Sequence, residues 1–182
     1  MMLNIPGPSE DSYMGTEYRF EPPIFTPTVL ENGEYAAEVR GLWTVIGDIM
    51  CHTTNFYDAY NKTNDTYDFS RVFTDIKDYI QSADISIGNL ETTFAGKDIG
   101  YTGYPTFNSP EQLAQNLKDL GLDVVSTANN HSLDKKYSGL VSTLDELDKV
   151  GLNHTGTYRS KEEQDTILIK DVNGIKFAFL SF

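Results

Sequence analysis

The segment Asp-Val-Val-Ser-Thr-Ala-Asn-Asn-His-Ser-Leu-Asp, residues 123–134, decides how the rest of the chain is interpreted. A short apolar run at 124–125 leads into a polar cluster made of Asn129, Asn130 and His131. An apolar run that stops at a polar cluster, with a helical pattern after it, is typical of a buried parallel strand whose carboxyl end meets a site. We therefore predict a strand followed by a functional loop in this segment.

Two earlier segments have the same construction. Val-Ile-Gly-Asp at 45–48 leads to His52, and Ile-Ser-Ile-Gly-Asn at 85–89 leads to Glu91. Helical patterns separate the three segments, and the alternation of strand and helix predicts right-handed crossovers in a mainly parallel sheet. The predicted fold class is therefore α/β, with flanking helices and with the three strand ends at one edge of the sheet.

Local patterns predict the connecting elements. Apolar residues at helical spacing predict an amphipathic helix over 69–81, whereas the polar stretch 53–68 predicts a loop. Ser109 has the position of a capping residue for a helix that ends at Gly121. The dipeptide Asn-Gly at 173–174, between two apolar runs, predicts a β-hairpin with a type I′ turn.

Residues 1–40 differ in composition from residues 41–182. Five of the seven prolines lie in the first segment, and proline fixes φ and removes a hydrogen-bond donor. We predict an extended leader or linker over 1–40, with a turn at 31–34 before a short strand from residue 35, and one domain over 41–182.

Charge and cysteine content narrow the function classes. The net charge of −13 argues against nucleic acid as a main partner, because phosphate binding needs clustered Lys and Arg. A single cysteine excludes an internal disulfide. Neither a signal segment nor an apolar run as long as a membrane span is present in this sequence.

The strand ends carry candidate metal ligands, namely Asp48, Asn89, Glu91, Asn130 and His131. Carboxylate and amide oxygens together with an imidazole suit Mn²⁺, Fe or Zn²⁺. A carboxylate that can bridge two ions is what a two-metal hydrolytic site needs. The expected cofactor is therefore a divalent metal, as two ions.

Three further residues are candidates with a structural alternative. His52 follows the first strand and could reach a metal. Asn129 is explained as well by its tolerance of left-handed φ in a turn. Arg159 could bind an anionic group bidentately, and a solvated surface arginine is the alternative. The Gly- and Tyr-containing loop 92–107 is a candidate pocket wall, with simple loop packing as its alternative.

Three motifs in this order resemble those of the CapA family, the bacterial poly-γ-glutamate capsule biosynthesis proteins. They are Gly47-Asp48-Ile49-Met50, Gly88-Asn89-Leu90-Glu91 and Ala128-Asn129-Asn130-His131. The resemblance covers residues 42–182 and implies a sandwich similar to calcineurin-like metallophosphoesterases, with a di-metal centre. It implies Asp48 and the second motif as metal-binding positions, Asn130 as a ligand and His131 as the catalytic histidine.

The chain departs from the metallophosphoesterase pattern in three ways. Met50 occupies the place of a usual histidine, and Asn89 stands where an Asp is expected, with Glu91 as its possible substitute. Such enzymes also take histidine ligands from later strands, whereas this chain has three histidines in all. We therefore expect residues 41–182 to be the N-terminal part of a truncated domain.

Two function hypotheses follow. The first is a metal-dependent hydrolase or transferase acting on an acidic polymer or a phosphorylated substrate. The second is a non-catalytic subunit that handles polymer or assembles a capsule synthesis complex with membrane synthase subunits. The resemblance implies a location at the cell surface or at the outer side of a membrane under either hypothesis.

Overall fold

The computed structural model describes residues 41–182, together with two short strands nearer the N-terminus. These are β1 (Thr28–Val29) and β2 (Tyr35–Ala36), which pair antiparallel and confirm a strand beginning at residue 35. The chain divides into two units, Met1–Glu38 and Val39–Phe182. The predicted turn at 31–34 and the remainder of the predicted leader lie outside the described residues.

A parallel sheet forms the centre of the second unit. The strands of this unit are β3 (Trp43–Ile49), β4 (Tyr60–Asn61), β5 (Thr66–Tyr67), β6 (Ile85–Leu90), β7 (Val124–Ser126), β8 (Asn153–Thr155), β9 (Leu168–Val172) and β10 (Ile175–Phe179). The central sheet has the order β3-β6-β7-β8, and each of its neighbouring pairs is parallel. This arrangement confirms the predicted fold class.

Within residues 41–182 there are five α-helices, and the first four of them contribute buried side chains to one apolar core with the sheet. They are α1 (Thr53–Ala59), α2 (Lys77–Gln81), α3 (Gln112–Leu120), α4 (Lys136–Val150) and α5 (Lys161–Gln164). Leu117 of α3 and Leu147 of α4 are fully buried, in one apolar cluster with Val125 of β7. This cluster is the larger of the two cores of the domain, and it fixes the helices against the sheet by removing apolar surface from water.

The β9–β10 hairpin packs against Val124, the neighbour of Val125 on the same strand. Val124 lies in a smaller apolar cluster with Val172 and Phe179 of the hairpin. Successive side chains of a strand point to opposite faces, so β7 contributes to both cores. The domain therefore has three layers: helices, the parallel sheet and the hairpin.

Two glycine-dependent turns form as predicted. Gly121 ends α3 with φ of 109°, in the left-handed region where glycine has no steric penalty. Asn173 and Gly174 join the hairpin strands with φ of 53° and 83°, as a type I′ turn requires.

The predicted helix over 69–81 is wrong in extent. The segment forms a single 3₁₀ turn, Ser70–Phe73, and then the five-residue α2. The Thr74 hydroxyl donates to the Arg71 carbonyl at 3.0 Å, and such local bonds compete with helical hydrogen bonding. Val72 is 57% exposed, so little apolar burial favours a continuous helix here.

Two other local predictions are also wrong. The stretch 53–68 contains α1 and the β4–β5 hairpin, and the His52 N–H ahead of α1 donates to the Asn55 side chain at 2.8 Å. Ser109 does not cap α3, which begins at Gln112. The Ser109 hydroxyl is instead buried against the Thr92 hydroxyl at 2.6 Å, so it fastens the loop before the helix.

Within residues 41–182, every helix is too short or too polar to span a bilayer.

Candidate functional site

The carboxyl ends of β3, β6 and β7 bring three polar side chains together. Asp48 lies opposite Asn89 in the parallel register, and Asn89 lies opposite Ser126. The Asn89 side-chain amide donates to Asp48 Oδ1 at 2.8 Å, and the Asn129 amide donates to Asn89 Oδ1 at 3.1 Å. These side chains form one hydrogen-bonded row across the strand ends, as the order of strands predicts.

Asn129 connects this row to the polypeptide backbone. Its amide also donates to the Leu90 carbonyl at 2.9 Å, and its Oδ1 accepts the His131 N–H at 3.0 Å. Asn130 is exposed, and its side chain makes no hydrogen bond within residues 41–182. The proposed ligand role of Asn130 stays a prediction, whereas Asn129 is the residue that contacts the other candidates.

Glu91 is the buried carboxylate of the site, with 9% of its surface exposed. Burial raises the pKa of Glu91, and a hydrogen bond from the Glu91 carboxyl to Asp48 together with the negative charge of Asp48 raises it further. A positive charge on His131 acts on the Glu91 pKa in the opposite direction, because the His131 Nε2 lies 3.8 Å from Glu91 Oε1. Two carboxyl groups therefore share a small volume, an arrangement that a cation would stabilise.

His131 is fixed by a residue that sequence reasoning missed. Its Nδ1 lies 2.7 Å from Asp134 Oδ2, and the same oxygen accepts the Phe107 N–H at 2.6 Å. The Asp134 side chain is only 10% exposed. The available signal was a carboxylate three residues after His131, at the end of the segment 123–134.

His52 approaches the same region through an aromatic contact. The buried Phe107 ring meets His131 edge-on with centroids 4.7 Å apart, and it meets His52 edge-on at 5.1 Å. His52 therefore contacts Phe107, and its own side chain is exposed. Its predicted role as a metal ligand is untested by this contact.

Arg159 is engaged elsewhere. Its guanidinium contacts Asp145 and Asp148 at 2.5 Å each, and Glu163 at 2.7 Å. These carboxylates raise the pKa of Arg159, with the Glu163 hydrogen bond as the largest cause. None of its ion pairs reaches the strand-end cluster, so a substrate-binding role for Arg159 would require it to exchange these partners.

An apolar groove borders the site on the side of β3. It encloses about 320 Å³ and is lined by residues 46–51 together with Phe69, Val72 and Ile76. Asp48 is its charged residue, so the groove opens onto the strand-end row along the edge strand of the sheet.

The side-chain atoms at the strand ends are of the types that bind a divalent ion. Asp48, Glu91, the two asparagine amides and the imidazole are hard or borderline ligands of the kind that Mn, Fe and Zn accept. Within residues 41–182, no three His, Cys, Asp or Glu side chains are already grouped as a metal site. The Asn89 amide nitrogen faces Asp48, and rotating that amide by a half turn would direct its oxygen to a shared cation.

Comparison with known proteins gives relatives that are much longer than this chain. Uncharacterized protein y4sH of Sinorhizobium fredii is 27% identical over 167 residues, covering 83% of this chain and 35% of that protein. Capsule biosynthesis protein CapA of Bacillus anthracis is 26% identical over 145 residues, covering 76% and 34% respectively. This chain therefore spans about a third of the length of these two relatives.

A shorter similarity lies with the PGA biosynthesis protein CapA of Bacillus subtilis, 36% identical over 67 residues, or 36% of this chain and 18% of that protein. A family model described as a domain of unknown function (DUF4837) matches residues 1–73. The model described as "Bacterial capsule synthesis protein PGA_cap" matches residues 43–182, which include all of the strand-end residues. The chain therefore belongs to the bacterial capsule synthesis protein family PGA_cap.

Proposed function

We propose that this chain carries the strand-end part of a metal-dependent hydrolase or transferase site used in capsule synthesis. The observation that supports this proposal is the direct contact among Asp48, Asn89 and Asn129 beside the buried Glu91. A purely structural cluster would gain little from two carboxyl groups placed together, since one of them must be protonated or neutralised by a cation.

The proposed roles follow from the atoms that each residue offers. Asp48 and Glu91 would hold the metal through carboxylate oxygens, with Asn89 and one residue of the Asn129-Asn130 pair through amide oxygens. When bound, a divalent metal supplies a polarising charge and a water of lowered pKa, and a pair of ions can hold both the attacking and the leaving oxygen. His131 would stabilise the leaving oxygen, or hold and release a proton at Nε2, the nitrogen that faces Glu91.

The net charge of the chain supports a cation in this proposal. An acidic polymer such as poly-γ-glutamate would be repelled by a protein of net charge −13. A divalent metal at the strand ends would offset that repulsion at the point of contact. The substrate class we propose is therefore an acidic polymer or a phosphorylated group, bound through the metal, at the cell surface.

The test combines metal content with hydrolysis. The 182-residue chain is loaded with Mn²⁺ or Zn²⁺, its metal is measured by elemental analysis, and hydrolysis of a generic phosphodiester is followed. Asp48→Asn and Glu91→Gln should abolish both metal retention and turnover. Asp171→Asn, which changes an exposed carboxylate in the β9–β10 hairpin, should leave both unchanged. Equal metal retention in all four proteins would contradict the proposed site.

A second candidate function is a non-catalytic subunit that handles polymer or assembles the capsule synthase with its membrane subunits. It is favoured by Met50 in the place of a usual histidine, and by the lack of a preformed His, Cys, Asp or Glu triad among residues 41–182. This candidate predicts no turnover with any of the tested metals, together with retained binding to the membrane subunits when Asp48 is replaced.

A further inference from the structure

One carboxylate oxygen, Asp134 Oδ2, contacts both the His131 imidazole and the end of the loop 92–107. Asp134 Oδ2 lies 2.7 Å from His131 Nδ1 and 2.6 Å from the Phe107 backbone nitrogen. An ionised carboxylate only accepts hydrogen bonds, so the imidazole must carry its proton on Nδ1 to donate here. The neutral ring then presents an unprotonated Nε2 towards Glu91.

The loop that ends at Phe107 is held together by a buried asparagine next to it in sequence. Asn108, which is fully buried, donates from its amide to the Gly96 carbonyl at 3.0 Å and to the Gly100 carbonyl at 2.9 Å. Its Oδ1 accepts the Ala95 N–H at 2.7 Å. These bonds organise the loop 92–107 internally. Its start is joined to α4, where the Phe94 N–H donates to the Thr143 hydroxyl at 2.8 Å and the Ser142 hydroxyl donates to the Phe94 carbonyl at 2.6 Å. Other contacts set the position of its far end, at Phe107, relative to His131.

Asp134 provides one of those end contacts, from the turn that precedes α4. The neighbouring Lys135 adds a weaker one, from its Nζ to the Thr106 carbonyl at 3.2 Å. The Phe107 ring packs edge-on against the His131 imidazole. The Asp134 carboxylate thus bonds to the His131 ring at Nδ1. It also bonds to the backbone of Phe107, whose side chain packs against the same ring.

We propose that Asp134 is a positioning residue that fixes the His131 imidazole as the Nδ1–H tautomer and ties the loop 92–107 to it. Its contribution to a reaction rests on the proposed function. The His131 tautomer and the hydrogen bond from Phe107 to Asp134 are properties of the folded chain. Both are measurable whether or not the protein turns over a substrate.

The test is nitrogen NMR of the 182-residue chain with ¹⁵N-labelled histidine, at a pH where imidazoles are neutral. The chain has three histidines, and His52→Gln and His154→Gln assign the remaining signal to His131. The wild-type protein should show His131 with Nδ1 protonated and Nε2 unprotonated. An Nε2–H tautomer in the wild-type protein would overturn the proposal, and this measurement does not depend on the folding of an Asp134 variant.

The variant Asp134→Ala should move His131 away from the Nδ1–H tautomer and speed amide hydrogen exchange at Phe107 by at least about 10-fold, since the acceptor of both bonds is lost. Asp123→Asn is the matched control, because Asp123 also accepts two donors, the Ser86 N–H at 2.8 Å and its hydroxyl at 3.0 Å, near the start of β7. That control should change neither readout. A folded Asp134→Ala protein that keeps the wild-type tautomer and Phe107 exchange rate would refute the positioning role.

If the proposed hydrolysis is observed, Asp134→Ala should lower kcat by about 10–100-fold while metal content stays at the wild-type level, as is usual for residues that orient a reacting group. Absence of hydrolysis in the wild-type protein would count against the proposed function alone. The tautomer result would still decide the role of Asp134.

Discussion

Replacement of Asn129 and of Asn130 by alanine should have very different effects, although the two residues are adjacent and identical in type. Three hydrogen bonds join the Asn129 side chain to the Asn89 side chain, the Leu90 carbonyl and the His131 N–H, and a longer one of 3.5 Å comes from the Ser132 hydroxyl. Asn130 is exposed, and its side chain bonds to nothing within residues 41–182. The pair is a matched test of which asparagine organises the site.

The magnitude follows from the bonds that are lost. Each neutral hydrogen bond contributes about 0.5–1.5 kcal/mol net, so the three shorter bonds predict a loss of about 1.5–4.5 kcal/mol in the free energy of unfolding for Asn129→Ala. The change in Asn130→Ala should stay within about 0.5 kcal/mol, as for exposed substitutions that break no contact. Urea denaturation followed by circular dichroism measures both, with the metal removed by a chelator.

A metal titration separates structural from ligand roles. If Asn129 acts through the row to Asn89, its alanine variant should also weaken Mn²⁺ binding measured by calorimetry. If Asn130→Ala loses as much stability as Asn129→Ala, the hydrogen bonds from Asn129 to Asn89 and its other partners are not what stabilises the strand-end site. If Asn130→Ala alone loses metal with its stability intact, Asn130 is the ligand, as predicted from the family resemblance.

The remaining predictions concern the scaffold, and each is measured by chemical denaturation. Leu147→Ala removes a fully buried side chain of α4 and should cost about 2–5 kcal/mol. Gly103→Ala should cost about 1–3 kcal/mol, because its Cβ would lie 2.7 Å from the Thr53 backbone nitrogen. Arg159→Gln should cost about 1 kcal/mol at neutral pH, since its pairs are partly exposed. Arg159 lowers the pKa of Glu163, so this stabilisation is present above the unfolded pKa of glutamate, about 4.3, and is lost as pH falls through the folded value. The variant should therefore show a flatter stability profile below about pH 5.

The local signals of the sequence were most informative where a few adjacent residues decide the backbone. The Asn-Gly turn and Gly121 both require positive φ, which few residue types accept, and both were predicted correctly. The helix over 69–81 was predicted wrongly because apolar spacing alone does not guarantee burial. Val72 remains exposed, and the Thr74 hydroxyl bonds to the backbone of the preceding turn.

The sequence by itself determined the α/β class and the meeting of three strand ends. Hydrophobic periodicity is a property of consecutive residues, and the right-handed crossover follows from the order of strands and helices along the chain. Only the tertiary structure decided which asparagine faces Asn89, that Asp134 holds both His131 and Phe107, and that the Arg159 guanidinium is already occupied by carboxylates. Each of those outcomes depends on side-chain direction and on partners from distant segments. A linear pattern does not specify such partners, because the distances between them are set by packing of the sheet, the loop and α4 together.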